Sequence, residues 1–581
     1  MTSILITDGQ ELAGLGAARS LGRAGYRVTV AVPQGLLAPV MSSRYVEQVI
    51  ESPNPWSDQP AFRQFLRERA PQFSVLLPVS EASIFATAAC RTQLGNVTLL
   101  LPSDDALRFS LSKYHATRAA LSVGLATPPT VFVSDGDWPA NLSSLMSELD
   151  ALGYPLLIKH DNYLTPSGKY VRGKTQRIDS PLQAQAIFSE LREHGAQVIA
   201  QRSVPGHGAG VFLLRHHGQT LLRFAHERLH EVPYTGGVSS LRVSCHDEPL
   251  VAQSERLLAA IGFDGVAMVE FRKSSAGPPQ FLEVNGRLWG SLALALHAQV
   301  DFPLLWLRSV LGLPVLPPRD YPDGLRCRNV LPGELSHLSS LLRAREVPLS
   351  RKLQALWDQV ALTLDVTMRH DHLWYDDPRP ALTQASLWTH DVGRRLWGRL
   401  GRSKQMYADK ELLSHEQKDS DARLAALPKP VRRVLVLCLG NICRSPFAEH
   451  YLRRVSKDRG LSSLAIESAG FLHHDGLRTP TRFVELVRSH GVDLSGHRAR
   501  RVTQQQIDDA DMILLMDAQN LRALQHEFPH ATHKTFLIGL LSAQGPAEIP
   551  DPYMLSIGEA EASYQKLAEA CSATIRRLQH R

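Results

Sequence analysis

VLVLCLGNICRSPFAEHYLRR, residues 434–454, runs from an apolar strand through a short loop into a helix that opens near Ser445. The loop spells Cys438-Leu439-Gly440-Asn441-Ile442-Cys443-Arg444-Ser445, with five residues between the first cysteine and the arginine. A loop wrapped at a helix N-terminus aims several backbone N–H groups at one point, as a phosphate dianion requires. Gly440 permits close backbone approach, and Asn441 tolerates left-handed geometry. The planar fork of Arg444 suits two phosphate oxygens at once. The same positive field is expected to lower the pKa of Cys438 and make it a thiolate nucleophile toward phosphorus. A general acid must then protonate the departing oxygen, and Asp551, in IPDPYM near the chain end, is the candidate.

With SAG (468–470), DLSGHRAR (493–500), DMILLMD (511–517) and DPY (551–553), this stretch resembles the low-molecular-weight protein tyrosine phosphatase family over 431–581. The resemblance implies Cys438 as nucleophile, Arg444 as phosphate ligand, Ser445 as support for the thiolate and Asp551 as general acid, with no cofactor. Backbone from Leu439, Gly440, Asn441, Ile442 and Cys443 would complete the phosphate cradle. Arginine phosphatases of the family tend to carry Thr where this chain has Ile442, so phosphotyrosine is the preferred substrate. Tyr553 would flank its ring. The usual second aromatic is Met554 here, and Phe471, His473 or His474 are expected to substitute in the pocket wall. A small aryl phosphate or a phosphosugar stays open as substrate. In the family a cysteine at position 443 can form a reversible disulfide with the nucleophile; the bland reading is a packed small hydrophobe. Arsenate reductases of the same fold need a further cysteine relay, and Cys571 alone remains in this region.

A second informative stretch, FDGVAMVEFRKSSAGPPQFLEVNGRLWGS (263–291), reads as two antiparallel strands. Pairing would bring Glu270 and Glu283 together, with Asn285 on the same face two residues on. Two carboxylates and an amide oxygen suit Mg²⁺ (or Mn²⁺) that also holds nucleotide phosphates. Arg287 lies on that face toward a terminal phosphate. Lys159 ends the apolar strand GYPLLIKH, and Lys113 precedes a helix. These residues resemble the ATP-grasp superfamily over about 105–315, preceded by a Rossmann-like domain. The resemblance implies ATP-dependent ligation of a carboxylate to an amine, with the metal on Glu270, Glu283 and Asn285 and the nucleotide on Lys113, Lys159 and Arg287. Gln201, Arg202, Ser203 and Val204 would be the hinge beside adenine. The hinge departs from the family's Gln-Glu pair, and the loop after Lys159 has only Gly168 and Gly173. Gly9, Gly14 and Gly16 follow the first strand without GxGxxG spacing, so helix–strand packing explains them better than a dinucleotide.

The expected fold class is therefore α/β: a Rossmann-like domain (1–105), an ATP-grasp α+β domain (106–317), a helical Trp-rich extension (318–400), a polar linker (401–430) and an α/β phosphatase with a central parallel sheet (431–581). The stripe Leu353, Leu356, Trp357, Val360 and Leu364 reads as core, with a membrane-surface or partner contact as the alternative. The net charge of +7 is scattered, which argues against nucleic acid. The start MTSILITDGQEL lacks a cationic leader, no run of about 20 apolar residues occurs, and six cysteines in 581 residues fit a reducing cytoplasm. The chain then reads as a bifunctional phosphatase and ligase. Alternatives are a phosphatase with a non-catalytic nucleotide-binding module for regulation or targeting, and a phosphatase acting on the ligase's own small molecule. By fold-level analogy the partner is a tyrosine kinase of an exopolysaccharide system.

Overall fold

A computed structural model describes residues 2–134, 136, 138, 142–164, 170–171, 173, 175–193, 197–275, 277–316, 320–472, 475–542, 547–555 and 557–580. The chain divides into two compact units, Met1–Gly393 and Arg394–Arg581.

The first unit begins with a parallel sheet ordered Gln48–Ser52, Arg27–Pro33, Ser3–Ile6, Val75–Leu77, Thr98–Leu99. Its central strands are apolar on both faces because helices cover both sides. The early glycines are packing devices: a Cβ on Gly9 would sit 2.4 Å from Val30 Cγ1, and one on Gly14 would sit 2.9 Å from the Asp8 carbonyl. A four-stranded antiparallel sheet follows, ordered Thr175–Ile178, Leu156–His160, Val198–Arg202, Thr130–Val133. A seven-stranded sheet completes the unit, ordered Gly277–Asn285, Gly265–Ser274, His207–His216, Gln219–Val232, Val238–Ser244, Arg326–Arg328, Arg369–His370. Glu270 pairs directly with Glu283, as the alternation in 263–291 predicts.

The stretch 318–400 is not simply a helical extension. Its two short strands finish the seven-stranded sheet, and buried ion pairs fasten them. Arg242 pairs with Asp371, and Arg19 donates from Nε to Asp377 at 2.9 Å, all four side chains being almost wholly inaccessible. Trp374 is buried beside them. The helix Leu349–Leu364, however, has no buried residue, and Trp357 is 72 % exposed. Its apolar stripe is therefore not core. The polar stretch 401–430 is helical as far as Ala426, continuing a helix from Arg379. Lys, Glu, Gln and Ala at high density favour helix over coil, and Leu424 and Leu427 anchor its end in the second unit's core.

The second unit is a parallel sheet ordered Ala465–Gly470, Arg433–Cys438, Met512–Leu515, Thr535–Leu537. Helices Arg444–Asp458 and Ile557–Gln579 pack on one face, and Ala518–Glu527 covers the other. The Cys438 loop leaves the carboxyl end of a central strand, where a parallel sheet opens its crevice.

Candidate active sites

In the second unit, strand Arg433–Cys438 delivers Cys438 to the base of the loop, and helix Arg444–Asp458 begins directly after Cys443. Asn441 adopts φ +51°, the left-handed conformation expected of it. Its side chain ties the loop down: Nδ2 donates to Ser445 Oγ (3.0 Å) and Ser468 Oγ (3.0 Å), and Oδ1 accepts from the Arg500 amide (3.0 Å). Gly470 admits the loop, because a Cβ there would lie 2.7 Å from the Asn441 nitrogen. Ser445 Oγ lies 3.1 Å from Cys438 Sγ. Arg444 is almost fully buried and forked between two acids, donating to Asp517 at 2.5 Å and to Asp551 at 2.6 Å, and also to the Ile549 carbonyl at 3.0 Å. Burial opposes its charge, but Cys438, Asp517 and Asp551 together raise its pKa above the ordinary guanidinium value. Asp551 is half-exposed at the mouth and caps the turn at Tyr553, whose side chain is exposed. Burial, then the negative charges of Asp551 and Cys438, push the Cys443 thiol up to about 12, so it is held neutral. Phe471 is buried, while His473 and His474 lie outside the described residues.

In the first unit, Asn285 Nδ2 donates to Glu270 Oε1 and Glu283 Oε1, both at 3.0 Å, which gathers the three oxygen-bearing side chains. Burial favours the neutral form of Glu283, yet Lys113 (Nζ 3.5 Å away), Lys159, Asn285 and Arg287 drive its pKa down to about 2. Glu270 shifts upward because burial outweighs Arg228, which donates to it at 2.6 Å. Lys159 is buried and its pKa falls, through burial above all, and an arriving anion would push it back up. For Lys113 the attraction of Glu283 exceeds burial and raises the pKa. The donor set, one firmly ionised carboxylate, one destabilised carboxylate and an amide, fits a hard divalent cation. Arg287 reaches instead to Glu81 (3.2 Å). Gln201 is buried, donating to Thr130 Oγ1 while its own Oε1 has no partner among the described residues; Arg202 is exposed. Ser203 and Val204 line a cavity of about 520 Å³ with Arg228, Glu231, Arg272 and His337.

Comparison with known proteins finds a different family in each unit. The family description "Low molecular weight phosphotyrosine protein phosphatase" matches residues 433–581, and "ATP-grasp in the biosynthetic pathway with Ter operon" matches 197–331. The chain is similar to "Probable low molecular weight protein-tyrosine-phosphatase EpsP" of Ralstonia solanacearum, 34% identical over 26% of this chain and 99% of that protein. It is also 34% identical to the low molecular weight phosphotyrosine protein phosphatase of Sus scrofa, over 25% of this chain and 95% of the other. Through residues 433–581 the chain belongs to the low molecular weight phosphotyrosine protein phosphatase family. The first unit carries an ATP-grasp domain. A solved L-amino acid ligase from Bacillus licheniformis is similar at 16% identity and a TM-score of 0.41, over 55% of this chain and 78% of that one.

The second unit thus brings Cys438, Arg444, Ser445 and Asp551 into one cluster, and the first unit brings Lys113, Lys159, Glu270, Glu283 and Asn285 into another. Sequence reasoning did not single out Asp517, although it ends the quoted DMILLMD, nor Glu81, Arg228 and Asp161. Asp161 accepts from the Lys113 amide at 2.7 Å and so sets the start of that helix. Gly168 lies outside the described residues; Gly173 is needed for close packing, since a Cβ would meet the His160 carbonyl at 2.3 Å.

Proposed function

We propose that this chain is a phosphotyrosine phosphatase working through a phosphocysteine intermediate, fused to an ATP-dependent carboxylate ligase. The observation that carries the first half is the cluster of Cys438, Ser445, Arg444 and Asp551 around one loop. The incoming phosphate takes the edge of Arg444 now paired with Asp551, Asp517 keeps the other edge, and the freed Asp551 carboxylate takes a proton from solvent. Cys438 sulfur attacks phosphorus as the ester P–O bond breaks, and Asp551 passes its proton to the departing phenolate oxygen. Water then attacks the phosphocysteine, Asp551 takes the water's proton, and the S–P bond breaks to release phosphate. Ser445 steadies the sulfur in both steps.

In the ATP-grasp domain Glu270, Glu283 and Asn285 would hold magnesium, which supplies charge neutralisation to the nucleotide phosphates. Lys159 and Lys113 steady the phosphates, and Ser203 and Val204 border the purine. Phosphorylation of a substrate carboxylate and displacement by an amine is the reaction class we assign. The proposed protein substrate is a tyrosine kinase of an exopolysaccharide system, in the cytoplasm; among the described residues no helix is long and apolar enough to cross a membrane.

The test is p-nitrophenyl phosphate turnover and ADP release by the full chain, Cys438→Ser and Glu283→Gln. Turnover lost only in Cys438→Ser, and ADP release lost only in Glu283→Gln, is the expected outcome. An absence of ADP release with every carboxylate and amine offered would leave the first unit as a nucleotide-binding module.

A further inference from the structure

The helix Leu349–Leu364 is built inside out. Leu349, Leu353, Leu356, Trp357, Val360 and Leu364 recur at helical spacing along one face, with exposures between 43 and 74 %, and Val366 just beyond is 93 % exposed. The rest of the unit holds the opposite face: Gln359 Nε2 donates to Glu334 at 2.8 Å, Arg328 donates to Thr363 Oγ1 at 3.3 Å, and Ala355 and Leu362 are half-buried. An amphipathic helix in a globular domain turns its apolar stripe to the core; this one turns it to solvent.

Charge around the stripe is sorted in the same sense. Asp365, Asp371, Asp376 and Asp377 are each taken up by an arginine of the fold, Arg326, Arg242, Arg23 and Arg19. Arg343, Arg345, Lys352, Arg369 and Arg379 have no ion pair among the described residues, Glu346 is occupied by the Tyr234 hydroxyl at 2.5 Å, and the helix's own Asp358, also without an ion pair there, lies with Arg351 on the face opposite the stripe. The segment therefore offers leucines and a tryptophan in one direction with a net cationic fringe. We propose that this helix docks the protein on an anionic lipid surface, the apolar stripe entering the headgroup boundary and the cations meeting lipid phosphates. Weak apolar insertion and electrostatic attraction are each marginal alone and sufficient together. A second copy is the poorer occupant, because a two-fold contact would set the cationic fringe against itself.

Vesicle flotation of the full chain tests this, using phosphatidylcholine with and without phosphatidylglycerol. Binding is expected only with phosphatidylglycerol, weakening as salt rises. Trp357→Glu and Leu353→Glu should each lower the bound-to-free ratio about tenfold, and Lys352→Glu, beside the stripe, should weaken it mainly at low salt. Phosphatase turnover and circular dichroism of Trp357→Glu, a residue outside both sites, should stay unchanged and so show that the variant is folded. No binding to phosphatidylglycerol vesicles, or equal binding by Trp357→Glu, would overturn the proposal. So would a wild-type dimer in sedimentation that Trp357→Glu converts to monomer, which would assign the face to a second copy.

Discussion

Cys438 and Asp551 do different work, and substitution should separate them. Cys438→Ser should abolish p-nitrophenyl phosphate turnover, whereas Asp551→Asn should slow it by about 10²–10³, more for phosphotyrosine than for the better nitrophenolate leaving group. Comparing the two substrates on Asp551→Asn checks this; equal losses on both would contradict the acid role. Asp517 holds one arm of Arg444 without touching the reacting atoms, so it is a positioning residue. Asp517→Asn should lower kcat/KM about tenfold, roughly 1.4 kcal/mol, and weaken vanadate binding to the same extent. The cysteine, the arginine and the asparagine of the loop were legible because they are contiguous: one loop sets its own geometry. Asp517, Glu81 and Arg228 were not, because each acquires its role only when a distant strand or helix is folded against it.

Strand pairing was the most legible feature at the level of elements. Alternation in 263–291 placed Glu270 opposite Glu283 because a hairpin of period two admits few registers. Helices misled twice. An apolar stripe at 349–364 looks the same whether it faces core or solvent, and a charged run at 401–426 looks the same whether coil or helix. The segment after the exposed helix is held by buried charge, and this carries two predictions. Asp371→Ala leaves Arg242 buried and unpaired, so the first unit should lose about 3–5 kcal/mol, read from denaturant unfolding. His297, half-buried beside Trp374, has its pKa lowered by desolvation to about 4. As pH falls from the ordinary value of 6.5 toward 4, the unfolded chain takes a proton that the native imidazole refuses. Stability of the first unit should therefore fall across that window, by up to about 3 kcal/mol, and His297→Gln should flatten the slope.

Over the whole molecule, two units with separate cores and separate chemistry should report separately. Calorimetry should resolve two transitions, ATP with magnesium raising one and inorganic phosphate the other, each by about 2.7 kcal/mol at a hundredfold excess over Kd. Cys438→Ser should leave the ATP response intact, and Glu283→Gln the phosphate response. Beneath these expectations stands the covalent step at Cys438, and rapid acid quench of the full chain with p-nitrophenyl phosphate carrying a radiolabelled phosphoryl group examines it directly. The predicted result is label on Cys438 in the native chain, more of it in the Asp551→Asn variant, and none in Cys438→Ser. Steady nitrophenolate release by the native chain with no labelled protein, or label persisting in Cys438→Ser, would contradict it.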